Sequence, residues 1–378
     1  MNSLFTRFAA LDTSSIPSRE AKAKYKPDVI IYDKRKEFSA RTALFQTMEM
    51  FVEFKRGNSS DPFGTDGNFF PKLFKTASST RGQIILYSTR QRAYQFRTSI
   101  LTVGIFGKVA RLMRLDNTGF KVTVPIDYSK EEGNCQLVEF FLRLDQMADD
   151  PEARGWDPTV RDATPVEVGY FSEAVEAVYE APYAQQQTRT RGQKKKAQET
   201  ADPLLHRLIE SVGKPEEYLR KKVSVLEQDV ERDYIVGRPT SILKAPTGRT
   251  TRGFVAMSMQ TKKLVFLKDS WRPESDSFQP EDHWYGILKE YEGIGMKSIG
   301  TYLHGSDVYA TREFVKCEDK KQRTITHLYA KDLGRKEEMV GYIHHRIVLS
   351  ELYLPLEMFR DSKHLTEVMY DIANGAFL

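Results

Sequence analysis

Two groups of side chains in this 378-residue sequence have types and spacings suited to chemistry. Asp28 stands at the entrance of the apolar run Val29 to Tyr32, and Asp33 closes it. In the next apolar stretch, TALFQTMEMFVEFKRG, Met50, Val52 and Phe54 alternate with Phe51, Glu53 and Lys55, so strand geometry puts Glu53 and Lys55 on one face. If Asp28 lies beside Glu53, the two carboxylates repel unless a divalent cation or Lys55 neutralises them. An all-oxygen pair of this kind suits Mg²⁺ or Mn²⁺, with Asp28 and Glu53 as the metal ligands. The following segment, RGQIILYSTRQRAYQ, reads as a helix with Gln83, Tyr87 and Gln91 at i, i+4 and i+8, hence on one stripe. The second group lies far downstream. Leu264 to Leu267 form an apolar strand that presents Lys268 near its end, and thirteen residues later Glu281 falls in the first turn of a helical pattern carrying Trp284, Ile287, Leu288 and Tyr291.

The elements that must position these groups point to an α/β chain in two modules. The first half reads strand, strand, helix, strand, strand, a mixed sheet with flanking helices; the second opens with short, largely antiparallel strands and closes on a helix. A hairpin is expected in FVAMSMQTKKLVFLKD with its turn at Gln260 to Lys262. The boundary is expected at a basic, nearly apolar-free stretch from Ala184, giving modules 1–183 and 204–378 about a linker 184–203. That linker carries Arg189, Arg191, Lys194, Lys195 and Lys196, and reads either as a solvated connector or as a nuclear-import or phosphate-contacting patch. Overall, 57 basic residues against 52 acidic ones leave a net charge of only +5, so a nucleic-acid partner has to be argued from local residues. Cys135 and Cys317 have no ligand-like spacing, which argues against a disulfide framework or structural zinc and for a reducing compartment. No stretch reaches the roughly 18 apolar residues of a membrane helix, and the expectation is an intracellular protein of cytoplasm or nucleus without membrane contact.

Two family resemblances rest on these residues. Pro27-Asp28, then Glu53-x-Lys55, then a helix with Gln83-x-x-x-Tyr87, resembles the restriction-endonuclease-like fold. The resemblance implies metal-assisted phosphodiester hydrolysis, with Asp28 and Glu53 on Mg²⁺, Lys55 stabilising charge or orienting water, and Gln83 and Tyr87 shaping the site. Glu20 is the weak candidate for an additional helix acid. A strand-end ion pair in a fold that has kept no activity is the plain alternative.

A second resemblance covers nearly the whole chain: KPDVIIYD, FVEFKR, QFRTSILTVGIFGKVARLMRLDNTG, RGWDPTV, VGRPTSI, VFLKDSWR and HHRIVLSELYLPLEMF occur in the order and spacing of the fungal-type protein kinase family. It implies a divergent protein serine/threonine kinase N-lobe after the basic linker, with ATP as cofactor. Kinases hold the α- and β-phosphates of ATP with a strand lysine and a glutamate of the following helix, roles the resemblance gives to Lys268 and Glu281. Gly237 and Arg238 stand where the family covers the phosphates, in place of G-x-G-x-x-G. Ile347 to Leu349, running into Glu351, Leu352 and Tyr353, look like the hinge that holds adenine through its backbone. The last segment, DSKHLTEVMYDIANGAFL, reads as the first C-lobe helix, N-capped by Asp361 or Ser362.

Transfer also requires an Asp in His-Arg-Asp-x-x-x-x-Asn and the Asp of Asp-Phe-Gly. Arg-Asp occurs at 161–162, 232–233 and 360–361 without either motif, and Asp332-Leu333-Gly334 precedes the hinge. The chain therefore reads as a truncated family member, inactive in phosphoryl transfer, with ATP bound weakly or not at all. The alternatives are a metal-dependent nuclease at Asp28, Glu53 and Lys55, or a binding module that meets a protein partner through an apolar face near Leu356, Met358 and Met369.

Overall fold

The computed structural model describes residues 5–16, 25–36, 43–64, 74–184, 212–213, 218–227, 230–240, 243, 245–289, 300–310, 320–332, 339–352, 356, 359 and 361–376. In chain order the elements are β1 (Phe8–Asp12), β2 (Val29–Asp33), β3 (Met48–Lys55), α1 (Lys75–Tyr94), β4 (Ile100–Phe106), β5 (Val109–Leu115), β6 (Phe120–Val122), β7 (Ile126–Asp127), α2 (Glu131–Gln146), β8 (Val160–Asp162) and α3 (Pro165–Ala184). There follow β9 (Lys221–Glu227), β10 (Val230–Pro239), β11 (Arg252–Ser258), β12 (Leu264–Pro273), α4 (Glu281–Lys289), β13 (Tyr302–Asp307), α5 (Thr326–Asp332), β14 (Tyr342–Leu349) and α6 (Ser362–Ala376). The protein is mixed α/β with two sheets, and the chain divides into two compact units.

Unit 1 comprises Met1–Pro158 with Leu243–Thr250 and Arg323–Tyr342. Its sheet runs β1-β2-β3-β4-β5-β6, with β7 also on β5. Every pairing is antiparallel except β3 with β4, which run parallel because the connection between them is the crossover helix α1. Alternation along the strands feeds two cores. Ile31, Met50, Val52, Val103 and Ile105 pack against Phe141 and Leu144 of α2, whereas Ile30, Tyr32, Phe51, Phe106 and Met113 pack against Ile84 and Tyr87 of α1. A shift in the β2–β3 register between Ile31 and Tyr32 turns Glu49 inward, where Arg97 and Arg154 neutralise it.

Unit 2 comprises Thr159–Ile242, Thr251–Gln322 and Ile343–Leu378. Its sheet runs β13-β14-β12-β11-β10-β9-β8, with antiparallel pairing at β8–β9, β9–β10, β10–β11, β11–β12 and β13–β14. The sheet curls, because Tyr234 of β10 and His304 of β13, four places apart in the order, share a 2.6 Å hydrogen bond. The β11–β12 hairpin turns through Met259 to Lys263, and Lys262 adopts a φ of 57° there. The seam between units lies near Pro158 rather than at the basic stretch: β8 pairs with β9, and Phe171 and Val175 of α3 pack with Ile235, Val255 and Met257. Residues 185–211 of that stretch lie outside the described residues, as do Glu20, Met358 and Tyr353. Among the described residues no helix is long and apolar enough to cross a membrane.

Candidate functional site

In unit 1, Asp28 precedes the first residue of β2 and Glu53 and Lys55 end β3, which pairs antiparallel with β2 through Val29 opposite Val52. That register brings the start of one strand beside the end of the other. The Asp28 carboxylate accepts the Phe54 N–H at 2.8 Å, and Lys55 Nζ donates to Glu53 Oε1 at 2.5 Å. Glu53 shares the sheet face of Phe51, under α1, and its side chain is only 2% exposed. Its second oxygen, Oε2, is buried without a hydrogen-bond partner among the described residues. Burial raises the Glu53 carboxyl above the usual carboxylate range; the Lys55 hydrogen bond and charge oppose this, the charge of Asp28 adds to it, and the Asp28 backbone N–H opposes it to a smaller degree.

Helix α1 closes this corner. Tyr87 donates to the Lys26 carbonyl at 3.1 Å, and its hydroxyl is pushed up to about 12 by burial and then by the charges of Glu53 and Asp28. Gln91, one turn further on, is fully buried and donates to the Glu49 carbonyl at 3.0 Å, so it anchors the helix to β3. Gln83 lies half-buried on the same stripe. Asp28, Glu53, Lys55 and Tyr87 thus converge. Among the described residues no group of three or more His, Cys, Asp or Glu side chains is arranged to hold a metal ion.

In unit 2, Lys268 sits in the middle of β12 rather than near a strand end, because the strand continues to Pro273. Its ammonium lies 2.7 and 2.6 Å from the two carboxylate oxygens of Glu281, the first residue of α4. Both side chains are about a quarter exposed, so the pair is reachable by a ligand. Gly253 lies directly opposite Lys268 in the β11–β12 register, and the Phe266 ring occupies the space a Cβ there would take, 2.5 Å from its position. Burial and then the charges of Glu281 and Glu351 raise the Tyr285 hydroxyl, which places all three groups in one neighbourhood. Glu351 follows β14 and accepts from Thr301 N and Oγ1, both at 2.7 Å. Gly237 is not in a loop: it lies buried in β10, where an added Cβ would come within 2.4 Å of Arg220 Nη1 and 2.7 Å of the Val212 carbonyl. Arg238 beside it is exposed.

No family model, curated protein or solved structure matches this chain.

One residue that sequence reasoning passed over positions the lysine. Asp269 points to the opposite face from Lys268 and is buried, accepting from His344 Nε2 at 2.9 Å, Arg346 Nε at 3.3 Å and Arg252 Nη2 at 3.4 Å. Burial works against its charge, but His344, Arg252 and Arg346 together hold the carboxyl far below the usual range. Arg346 in turn bonds Thr159 and the Ser224 carbonyl, tying β14, β12, β9 and the start of the unit to one carboxylate. The only sequence signal was the alternation of Lys268 and Asp269, which demands opposite faces.

Proposed function

We propose that unit 2 is a protein-kinase-like nucleotide-binding lobe in which Lys268, oriented by Glu281, engages the phosphates of ATP. The observation that carries this reading is the ion pair between a mid-strand lysine and the first residue of the following helix. A lysine free to bend away from the sheet is a poor phosphate ligand; one held at two points by a carboxylate is fixed before the nucleotide arrives. Asp269 pins the strand from the other face. Further support comes from the course of β14 into Glu351, which brings the hinge-like segment into the neighbourhood of Glu281 through Tyr285. With a lysine as the principal phosphate ligand and neither aspartate motif in the 378 residues, binding is weak and this polypeptide does not transfer the phosphoryl group. The reading is tested by titrating ATP against the wild type and Lys268→Met. Weak binding that is lost on substitution is expected.

A second reading concerns unit 1 and is favoured by one specific observation, the buried Glu53 Oε2 that no described residue satisfies. An orphan carboxylate oxygen next to a second carboxylate fits a hard divalent cation such as Mg²⁺ or Mn²⁺, with Asp28 and Glu53 holding it and water completing the sphere. Such an ion would supply Lewis-acid chemistry at a phosphodiester. Lys55 already neutralises Glu53 on one oxygen and so limits the attraction. With two carboxylates as the assigned ligands, the site is read as nuclease-derived and non-hydrolytic. Incubation with single- and double-stranded DNA in Mn²⁺ is the test. Cleavage that disappears in both Glu53→Ala and Lys55→Ala would replace this reading with an active nuclease.

A further inference from the structure

The imidazole of His345 lies between two carboxylates that belong to different elements. On one side, Nδ1 is 3.1 Å from Asp307 Oδ1 at the end of β13; on the other, Nε2 is 3.4 Å from Asp282 Oδ1 in the first turn of α4. A carboxylate of Asp307 accepts only, so Nδ1 carries a proton and the neutral ring presents a lone pair at Nε2. Asp307 is held ionised against its burial by Arg272, which grips both oxygens at 2.8 and 2.6 Å, by His345 itself and by Lys321 at 2.9 Å. Nε2 of His345 and Oδ1 of Asp282 are both buried and both without a hydrogen bond among the described residues, and they face each other. In the neutral ring this is a lone pair against an anionic oxygen. A second proton converts the same approach into a charge-assisted bond.

Asp282 adjoins Glu281, the partner of Lys268. We propose that His345 is a positioning residue whose protonation clamps α4 to the sheet and thereby holds Glu281 on Lys268. The inference rests on the nucleotide-site reading for its functional meaning, though not for the coupling itself. The groups facing the imidazole are Asp307 from β13, Arg272 from β12, Lys321 from the segment before α5 and Asp282 from α4. Elsewhere α4 is held by the Lys268–Glu281 ion pair and by the stacking of Tyr285 on Tyr302, centroids 5.2 Å apart, neither of which rests on a side-chain type that ordinarily titrates near neutrality. The helix is therefore docked more firmly when the His345 ring carries both protons and is looser when it carries only the Nδ1 proton.

Amide hydrogen exchange of α4 in the full chain, corrected for the intrinsic pH dependence of exchange, measures this directly between pH 5.5 and 8.5. Protection of α4 is expected to fall by about fivefold over that range, the value of a single partly exposed ion pair. Asp282→Asn and His345→Gln should each flatten the profile. His283→Ala should leave it unchanged, because His283 is exposed on the helix itself. A flat wild-type profile, or one that survives Asp282→Asn, overturns the proposal. A parallel ATP titration separates the two claims. If helix protection follows pH while ATP binding is absent at both ends, the coupling stands and the nucleotide reading falls.

Discussion

Replacing Glu53 by glutamine should make unit 1 more stable at neutral pH, not less. The folded-state pKa of Glu53 lies above its ordinary value, so folding favours the protonated form. Its favourable contribution is present below the unfolded pKa and is lost as pH rises through the folded one; at pH 7 the ionised group is a cost. Three features set the size. The side chain is 2% exposed, Oε2 has no hydrogen-bond partner among the described residues, and Asp28 adds like charge. A buried unsatisfied polar atom costs about 1–3 kcal/mol, and the Lys55 bond recovers part of that. Glutamine retains an acceptor for Lys55 and removes the like charge beside Asp28. A gain of about 1 kcal/mol, or roughly 2–4 °C in Tm for a unit of this size, is expected. Thermal unfolding followed with and without Mn²⁺ checks it: Mn²⁺ should raise the wild type, by about 2.7 kcal/mol at a hundredfold excess over Kd, and leave Glu53→Gln nearly unmoved. A Glu53→Gln protein that melts below wild type, or Mn²⁺ stabilisation equal in both, would refute the account of Oε2 as a costly, metal-ready oxygen.

Three further outcomes follow from the same geometry. Asp269→Ala leaves the guanidinium groups of Arg346 and Arg252 buried beside a missing carboxylate and should destabilise unit 2 by about 3–5 kcal/mol, read from urea unfolding; a change below about 1 kcal/mol would mean that the network contributes little. Gly237→Ala places a methyl group 2.4 Å from Arg220 Nη1 and 2.7 Å from a backbone carbonyl, an overpacking that should cost about 1–3 kcal/mol in the same assay. Incubation with labelled ATP, Mg²⁺ and generic substrates should give no phosphate incorporation, and incorporation abolished by Lys268→Met would overturn the inactive reading.

Local signals in the sequence carried both groups of candidate residues, and for a physical reason. Period-2 alternation put Glu53 and Lys55 on one face of β3, and the helix pattern after Pro280 put Glu281 at the start of α4; each depends on neighbours within a few positions. What escaped detection depends on distant partners. Glu49 looked like any strand acid until a register shift and two arginines, Arg97 and Arg154, some fifty and a hundred residues away gave it a buried seat. Asp269 and His345 likewise draw their environment from β13, β14 and α4. The basic stretch from Ala184 reports composition, while the seam near Pro158 is set by packing: Phe171 and Val175 commit α3 to unit 2, upstream of the charges. Gly237 resembled a phosphate-loop glycine, yet its lack of a side chain is accounted for by the close approach of Arg220.

The central claim is that Lys268, held by Glu281, is a phosphate ligand, and nucleotide titration followed by NMR tests it most directly. ATP should perturb the resonances of β12 and α4 with weak saturable affinity, adenosine should perturb them less, and Lys268→Met should abolish the phosphate-dependent part while Lys263→Met, exposed before β12, leaves it intact. Perturbations that are absent up to about 10 mM ATP, a concentration that reveals even millimolar affinity, or that persist in Lys268→Met, would contradict it.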